Sequence, residues 1–485
     1  MSAALAGVCG YLGLGVLGLV LGQGKILALF ALAGGIASLT VWAPGFPESL
    51  VGGLPFGVAV AGDLWALGIW GLALTLHLAV LVQGWHKDGL YHSLITVLVG
   101  TCLAGGISRD LFNLYVVLEL SSLLSVVLVA QERRSAAVWA ALRYLLLAGV
   151  GMTLYLFGLG LVYGRTGVLA ITSLSQTDFS EPSLRIGVGL LLSGTAVKAG
   201  VFLLGLWLPP AHGQAPTEIS ALLSGVVVKL GIVTLARIAE AFPIEPVLLS
   251  LGILTGLGGL VYALWERDLK IFLGHSTVSQ LGYMLIGLGL GAWEAALFYT
   301  VAHGLFKALL FLSAGMAIEA KGARTLAELK VGLPRPVVLG LALGTWAIVG
   351  LPPLAGFAGK NALSFASPTW AKALLQGLSL GTAVSFAKLL PLFKPEKGGS
   401  LGGIPLLVAG VVALGILGFF LFPGLLHPIS WLEAIFMVVL GYGMYRFWLR
   451  KPRTITQLKT DWAIFSILIC TLAISLAVLC IKTQQ

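Results

Sequence analysis

Apolar runs of about 20 residues recur along the whole chain, separated by short stretches of Gly, Pro and charged residues, and their interiors show no strict alternation of polarity. A hydrocarbon core about 30 Å thick takes about 20 helical residues, whereas a membrane strand takes about 10 with alternate faces. The pattern predicts an all-α polytopic membrane protein of about 14–16 transmembrane helices. Read generously, sixteen spans fall at 3–22, 25–43, 63–84, 89–108, 110–130, 136–163, 184–208, 217–238, 245–264, 270–290, 293–318, 337–366, 369–391, 402–422, 429–448 and 462–482. The first run has no basic residue before Lys25, which reads as a span and not as a removable signal.

Composition agrees with the pattern. With 58% hydrophobic and 10% charged residues, the chain lacks the polar groups to cover a water-facing surface. The net charge of +10 sits mainly in loops and suggests no nucleic-acid partner. Placing loops alternately on two faces puts the larger share of the 29 Lys and Arg on one, which is expected to be cytoplasmic, with both termini on the other side of a plasma or other energy-transducing membrane. The four cysteines, Cys9, Cys102, Cys470 and Cys480, lie in apolar segments without metal-like spacing. No glycine-rich dinucleotide fingerprint is present. No catalytic residue, cofactor or metal is therefore expected, and whether the chain belongs to an enzyme stays open.

Two stretches repeat. "SRDLFNLYVVLELSS" from Ser108 and "ERDLKIFLGHSTVSQ" from Glu266 each open a helix with Arg-Asp-Leu, at 109–111 and 267–269. A unit with an odd number of helices inserts upside down relative to its copy, so helices 4–8 and 9–13 are expected to form two inverted five-helix repeats. This divides the chain into N-terminal helices (1–88), a first repeat (89–240), a second repeat (241–395) and C-terminal helices (396–485) that include two extra spans, a possible docking surface for a partner. "LWLPPAHG" and "VGLPPLAGFAGK" place Pro-Pro within helices 7 and 12, which are expected to be broken.

The remaining signal is charge inside spans. Glu119 reads as the one mid-span carboxylate, and Arg143, Lys198, Lys229, Lys307 and Lys360 as the basic set. Each buried charge opposes insertion by about 3 kcal/mol. Glu119 and Lys198 are expected to pair between helices 5 and 7; a buried ammonium is held by a nearby carboxylate and released when that carboxylate withdraws. His303 and Lys307, four apart, share a helix face. Glu119, Lys198, Lys229, His303, Lys307 and Lys360 thus form the candidate proton path, with His275 as a relay at its inner mouth. The competing reading is structural: snorkelling or packed side chains, favoured for Arg143 and His77, with Arg109 and Lys388 as interface anchors.

The segments "AVKAGVFLLGLWLPPAHGQAPTEISALLSGVVVKLGIVTLAR" (196–237), "HSTVSQLGYMLIGL", "VAHGLFKALLFLSAG" and "GLPPLAGFAGK" resemble the antiporter-like subunits shared by respiratory complex I and the multisubunit Mrp sodium/proton antiporters, and "DLFNLYVVLELSSL" is similar to the D-type Mrp subunit. The resemblance implies a proton-translocating subunit that works with other membrane subunits, protons, a monovalent cation and the lipid bilayer. Mrp-type exchange is the first reading, a proton-pumping subunit of a complex I-like NAD(P)H or ferredoxin:quinone oxidoreductase the second, and a docking subunit without a proton path the third. Leu203 and Gly205 stand where the family usually has proline and histidine, so the break in helix 7 is expected to be weaker or displaced to Pro209.

Overall fold

The computed structural model describes residues 1–43, 45–53, 57–449 and 460–481. The stretch 450–459, between the last two expected spans, lies outside them. The chain is mostly helical, and thirteen helices among the described residues are long and apolar enough to cross a membrane. The two broken helices and the last helix, Thr460–Leu479, account for the other three expected spans.

The chain forms two compact units. One comprises Met1–Trp207, Val226–Leu248 and Leu458–Gln485; the other comprises Leu208–Gly225 and Leu249–Gln457.

In the first unit, the long helix Ser135–Thr166 packs along Pro182–Ala199 by way of glycines. A Cβ at Gly194 would lie 2.4 Å from the Gly151 carbonyl oxygen, so only glycine permits this approach. Small residues at such contacts are how membrane helices gain close packing without a hydrophobic drive. Thr460–Leu479 lies on the same helix, with Ser475 against Gly189 and the Leu479 carbonyl accepting from Arg185 at 2.9 Å. An element that hydropathy did not announce is the antiparallel hairpin Phe46–Val51 and Val58–Gly62, too short to carry a periodic signal.

In the second unit, Leu269–Gly289 packs on the helix Glu245–Trp265 where Gly282 meets Gly256 at backbone distance. Pro428–Met444, one of the extra spans, rests on Thr369–Phe386 through Gly441.

The repeat has a structural counterpart in each unit. Asp110 caps Leu111–Ala130 by accepting from Asn113, and Asp268 caps Leu269–Gly289 by accepting from Ile271. Both triplets then pair with the segment that follows a long helix: Leu111 donates to Leu169 and Ile171 to Arg109, while Leu269 donates to Arg324 and Leu326 to Arg267. Two reciprocal backbone bonds at equivalent places exceed what a three-residue coincidence would produce.

Candidate functional site

The helix Pro182–Ala199 ends at Gly200, which adopts φ 73°. Gly200 donates to Val197 and Val201 to Ala196, a glycine stop that ties off the last carbonyls. The chain then crosses an irregular stretch and resumes as Leu208–Gln214. The break is therefore complete and centred on 200–207, not displaced to Pro209; Pro209 and Pro210 lie in the first turn of the next helix, where a missing N–H costs nothing. Leu203 takes φ 67°, a region β- and γ-substituted residues seldom enter. Gly205 folds back so closely that any Cβ there would meet Gly200 at 2.4 Å, which is why no histidine fits that position. Trp207, stacked flat on Tyr144 at 3.8 Å, donates its indole N–H to the Val197 carbonyl at 2.8 Å.

Lys198 sits one residue before this stop, with its side chain only 4% exposed. Its ammonium lies 3.7 Å from Glu119 Oε2 and donates to the Ser122 hydroxyl, both on Leu111–Ala130. A helix C-terminus carries partial negative charge, so the break itself favours the ammonium. Glu119 is half-buried. The expected pair is thus formed. Lys229 is fully buried on Val228–Ala241, directly after a π-helical turn at Leu223–Val227. Such turns interrupt helices chiefly at working sites.

The second unit holds the other members. His303 and Lys307 are both fully buried on Trp293–Lys321. Lys307 donates to the Leu273 carbonyl at 2.8 Å and to the Ser276 hydroxyl, and its ammonium faces the rings of Phe311 and Phe386 at 5.8 Å each. His303 meets Phe306 edge to face at 5.2 Å. His275, beside Ser276 in sequence, points elsewhere and stacks on Tyr262 at 5.2 Å.

The helix Arg335–Val349 ends as its counterpart does: Gly350 has φ 86°, and Gly350 and Leu351 donate to Ala347 and Trp346. Lys360, on Ala355–Phe365, reaches back over the break, so that a Cβ at Gly350 would lie 3.1 Å from its Cδ and 4.0 Å from its Nζ. Lys198 thus stands in the last turn before one stop, and Lys360 reaches back to the other from the far side of its break. Lys360 Nζ lies 5.1 Å from the Tyr283 ring and has no hydrogen-bond partner among the described residues.

Several buried polar residues escaped the sequence reading. His212, on Leu208–Gln214, stacks on Phe311 at 4.3 Å, and Lys270 and Arg324 donate to the Ala215 and Gly213 carbonyls where that helix ends. Lys388 is no interface anchor: it donates to the Ala263, Leu264 and Glu266 carbonyls and so closes Glu245–Trp265. Arg109 likewise belongs to an ionic cluster with Glu48, Asp63 and Glu240, completed by the buried Arg237, which contacts Asp63 at 2.7 Å and Glu240 at 2.9 Å. Burial alone would raise the Asp63 carboxyl, but the charge and hydrogen bond of Arg237 outweigh it and hold the group below its ordinary 3.8. Glu433, five residues inside Pro428–Met444, is a second carboxylate within a span; its nearness to the helix start hid it.

Residues 108–385 match the family described as NADH:quinone oxidoreductase/Mrp antiporter, TM. The chain is 32% identical over 405 residues to NADH-quinone oxidoreductase subunit N of Desulforudis audaxviator, covering 74% of this chain and 80% of that protein. It is 27% identical over 325 residues to the putative antiporter subunit mnhD2 of Staphylococcus aureus, covering 63% and 65%. Its fold is similar to a chain of the membrane-bound sulfane sulfur reductase, an archaeal respiratory membrane complex, with a TM-score of 0.79 at 22% identity over 92% of this chain and 99% of that one. The Mrp complex from Dietzia sp. DQ12-45-1b gives 0.76 at 22% identity, over 92% and 98%. The matched region contains both broken helices together with Lys198, Lys229, Lys307 and Lys360, and the chain therefore belongs to the NADH:quinone oxidoreductase/Mrp antiporter family of membrane subunits.

Proposed function

We propose that this chain is a proton-translocating subunit of a multisubunit membrane complex, with Glu119, Lys198, Lys229, His303, Lys307 and Lys360 as its titrating groups. The observation that carries this is the buried Lys198, held between Glu119 and a helix stop inside an otherwise apolar span. An ammonium so placed is stable only while its carboxylate and the helix end face it. Movement of Glu119 relative to Lys198 would release the proton to Lys229 in the same unit. His303, Lys307 and Lys360 would carry out the corresponding exchange in the second unit. His275, turned onto Tyr262, is a relay only if its ring swings away.

Two drivers fit this arrangement. Coupling to quinone reduction in a respiratory complex is supported by the relative of 32% identity that spans most of both chains. Exchange against sodium or another monovalent cation is supported by the antiporter subunit of Staphylococcus aureus. Vesicles carrying the assembled complex distinguish them, since proton uptake follows electron transfer to quinone in the first case and an imposed sodium gradient in the second. Lys229→Ala is expected to abolish proton movement while the complex still assembles. Transport at the wild-type rate in that variant would overturn the proposal.

A further inference from the structure

Lys360 opens onto a cavity inside the second unit. About 60 Å³ of it is accessible to the centres of water-sized molecules, room for about four waters at 10–15 Å³ each. Its walls carry Tyr283, Asn361, Ser364, Gln376, Ser379 and Glu433 beside Lys360. A wall of that kind suits water, because each water needs two to four polar partners and the lining offers several. The remaining lining is apolar: Val349 and Gly350 from the broken-helix stop, Leu375 from Thr369–Phe386, and Ala434 and Met437 from the extra span.

The charged groups facing this space are Lys360 from Ala355–Phe365 and Glu433 from Pro428–Met444; Tyr283 is the titratable group from Leu269–Gly289, and Thr369–Phe386 presents neutral Gln376 and Ser379. Tyr283 is bound through its hydroxyl to Ser379 Oγ at 3.1 Å. Gln376 Nε2 donates to Glu433 Oε2 at 3.4 Å, which engages one carboxylate oxygen of a residue that lines the same space. Lys360 is 7% exposed, and its Nζ has no hydrogen-bond partner among the described residues although it lines the cavity. A buried ammonium with nothing but a ring face and water to bind is costly, and an adjoining carboxylate is the group that relieves it. Glu433 lies about 7.5 Å along its helix from the start at Pro428, close to a membrane boundary.

We propose that Lys360 exchanges its proton with Glu433 through the water of this cavity, which makes the span Pro428–Met444 a working part of the proton path. The step breaks an N–H bond at Lys360 and forms an O–H bond at Glu433, with water molecules handing the proton on; no electrons move. Glu433 then gives the proton to the aqueous phase beyond the helix start, and the neutral Lys360 is free to accept the next. The inference rests on the proposed function and extends its last step.

The test uses the assembled complex in vesicles, energised by quinone reduction or by a sodium gradient, whichever drives the wild type. Glu433→Gln keeps the shape and the contact to Gln376 but holds no transferable proton; it is expected to lower proton movement about tenfold or more, and Glu433→Asp to restore most of it. Infrared difference spectra should show a carboxylic acid band in the working wild type that Glu433→Gln lacks. Ala434→Leu fills the water space while leaving both charged groups in place, and should reduce transport to a similar extent; it also decides the matter if Glu433→Gln fails to assemble. Wild-type rates in Glu433→Gln, or normal transport in Ala434→Leu, would overturn the inference while Lys360→Met remained inactive. A wild-type complex that moves no protons would instead overturn the proposed function, and this inference with it.

Discussion

The two broken helices solve one problem in two ways. At the first, the helix stop and Lys198 are closed over by direct contacts: Glu119 at 3.7 Å, the Ser122 hydroxyl, and Trp207 donating to the Val197 carbonyl. At the second, the stop has the same glycine geometry, but Lys360 arrives from the far side of the break and faces a cavity instead of a paired carboxylate. A directly paired ammonium responds to the position of one side chain. An ammonium facing a polar cavity responds to hydration and to a carboxylate farther away. The difference suits the first site to sensing and the second to exchange with solvent.

Removing either amine is the strongest way to probe this contrast. Lys198→Met and Lys360→Met should each cut proton movement by about 100-fold, as loss of a proton-transfer group commonly does, measured by dye quenching in vesicles. Equal loss of only a few per cent in both would place these lysines among structural side chains. Glu119→Gln follows with a smaller effect: a several-fold decrease and an altered pH profile, because Lys198 loses its only charged contact among the described residues while Lys360 is untouched. A profile superimposable on wild type would remove Glu119 from the mechanism.

Gly350→Ala sharpens the comparison further. The left-handed backbone alone costs a non-glycine residue about 1–2 kcal/mol, and the added methyl would press on the Lys360 chain. Lower thermal stability together with slower transport is expected, whereas Gly200→Ala tests the backbone term at the other stop. Asp63→Asn provides a control distant from the proton path in chemistry. With solvent screening it should cost about 1 kcal/mol of stability at neutral pH. Because the folded carboxyl titrates below 3.8, that contribution is complete above pH 3.8 and disappears as pH falls through the lowered value, so the two melting curves should converge only in acid.

The charges within apolar runs were legible because each violates the composition of its span, and Lys198, Lys229, Lys307 and Lys360 are all buried as that violation implies. The Arg-Asp-Leu repeat was legible as words, and its meaning lay in backbone pairing with 169–171 and 324–326, which has no local signature. Position mattered more than identity for the rest. Pro-Pro at 209–210 is the loudest signal near the first break, yet the chain turns at Gly200, since proline is welcome in an opening helical turn. Glu433 was passed over because a carboxylate five residues into a span looks like an end charge until the neighbouring helix is known to bring Gln376 to it.

The π-helical turn before Lys229 leaves a last consequence. A π turn accommodates one residue more than regular winding, and one residue of an α-helix is about 100° of rotation. If Leu223–Val227 rewound as α-helix, the amine at 229 would swing by roughly a quarter of a circle and shift by about 1.5 Å along the span. The aim of that side chain is thus written in the pitch of the five residues ahead of it: a single deletion there would restore regular winding and keep the lysine's aim, whereas rewinding with all five residues retained would redirect it.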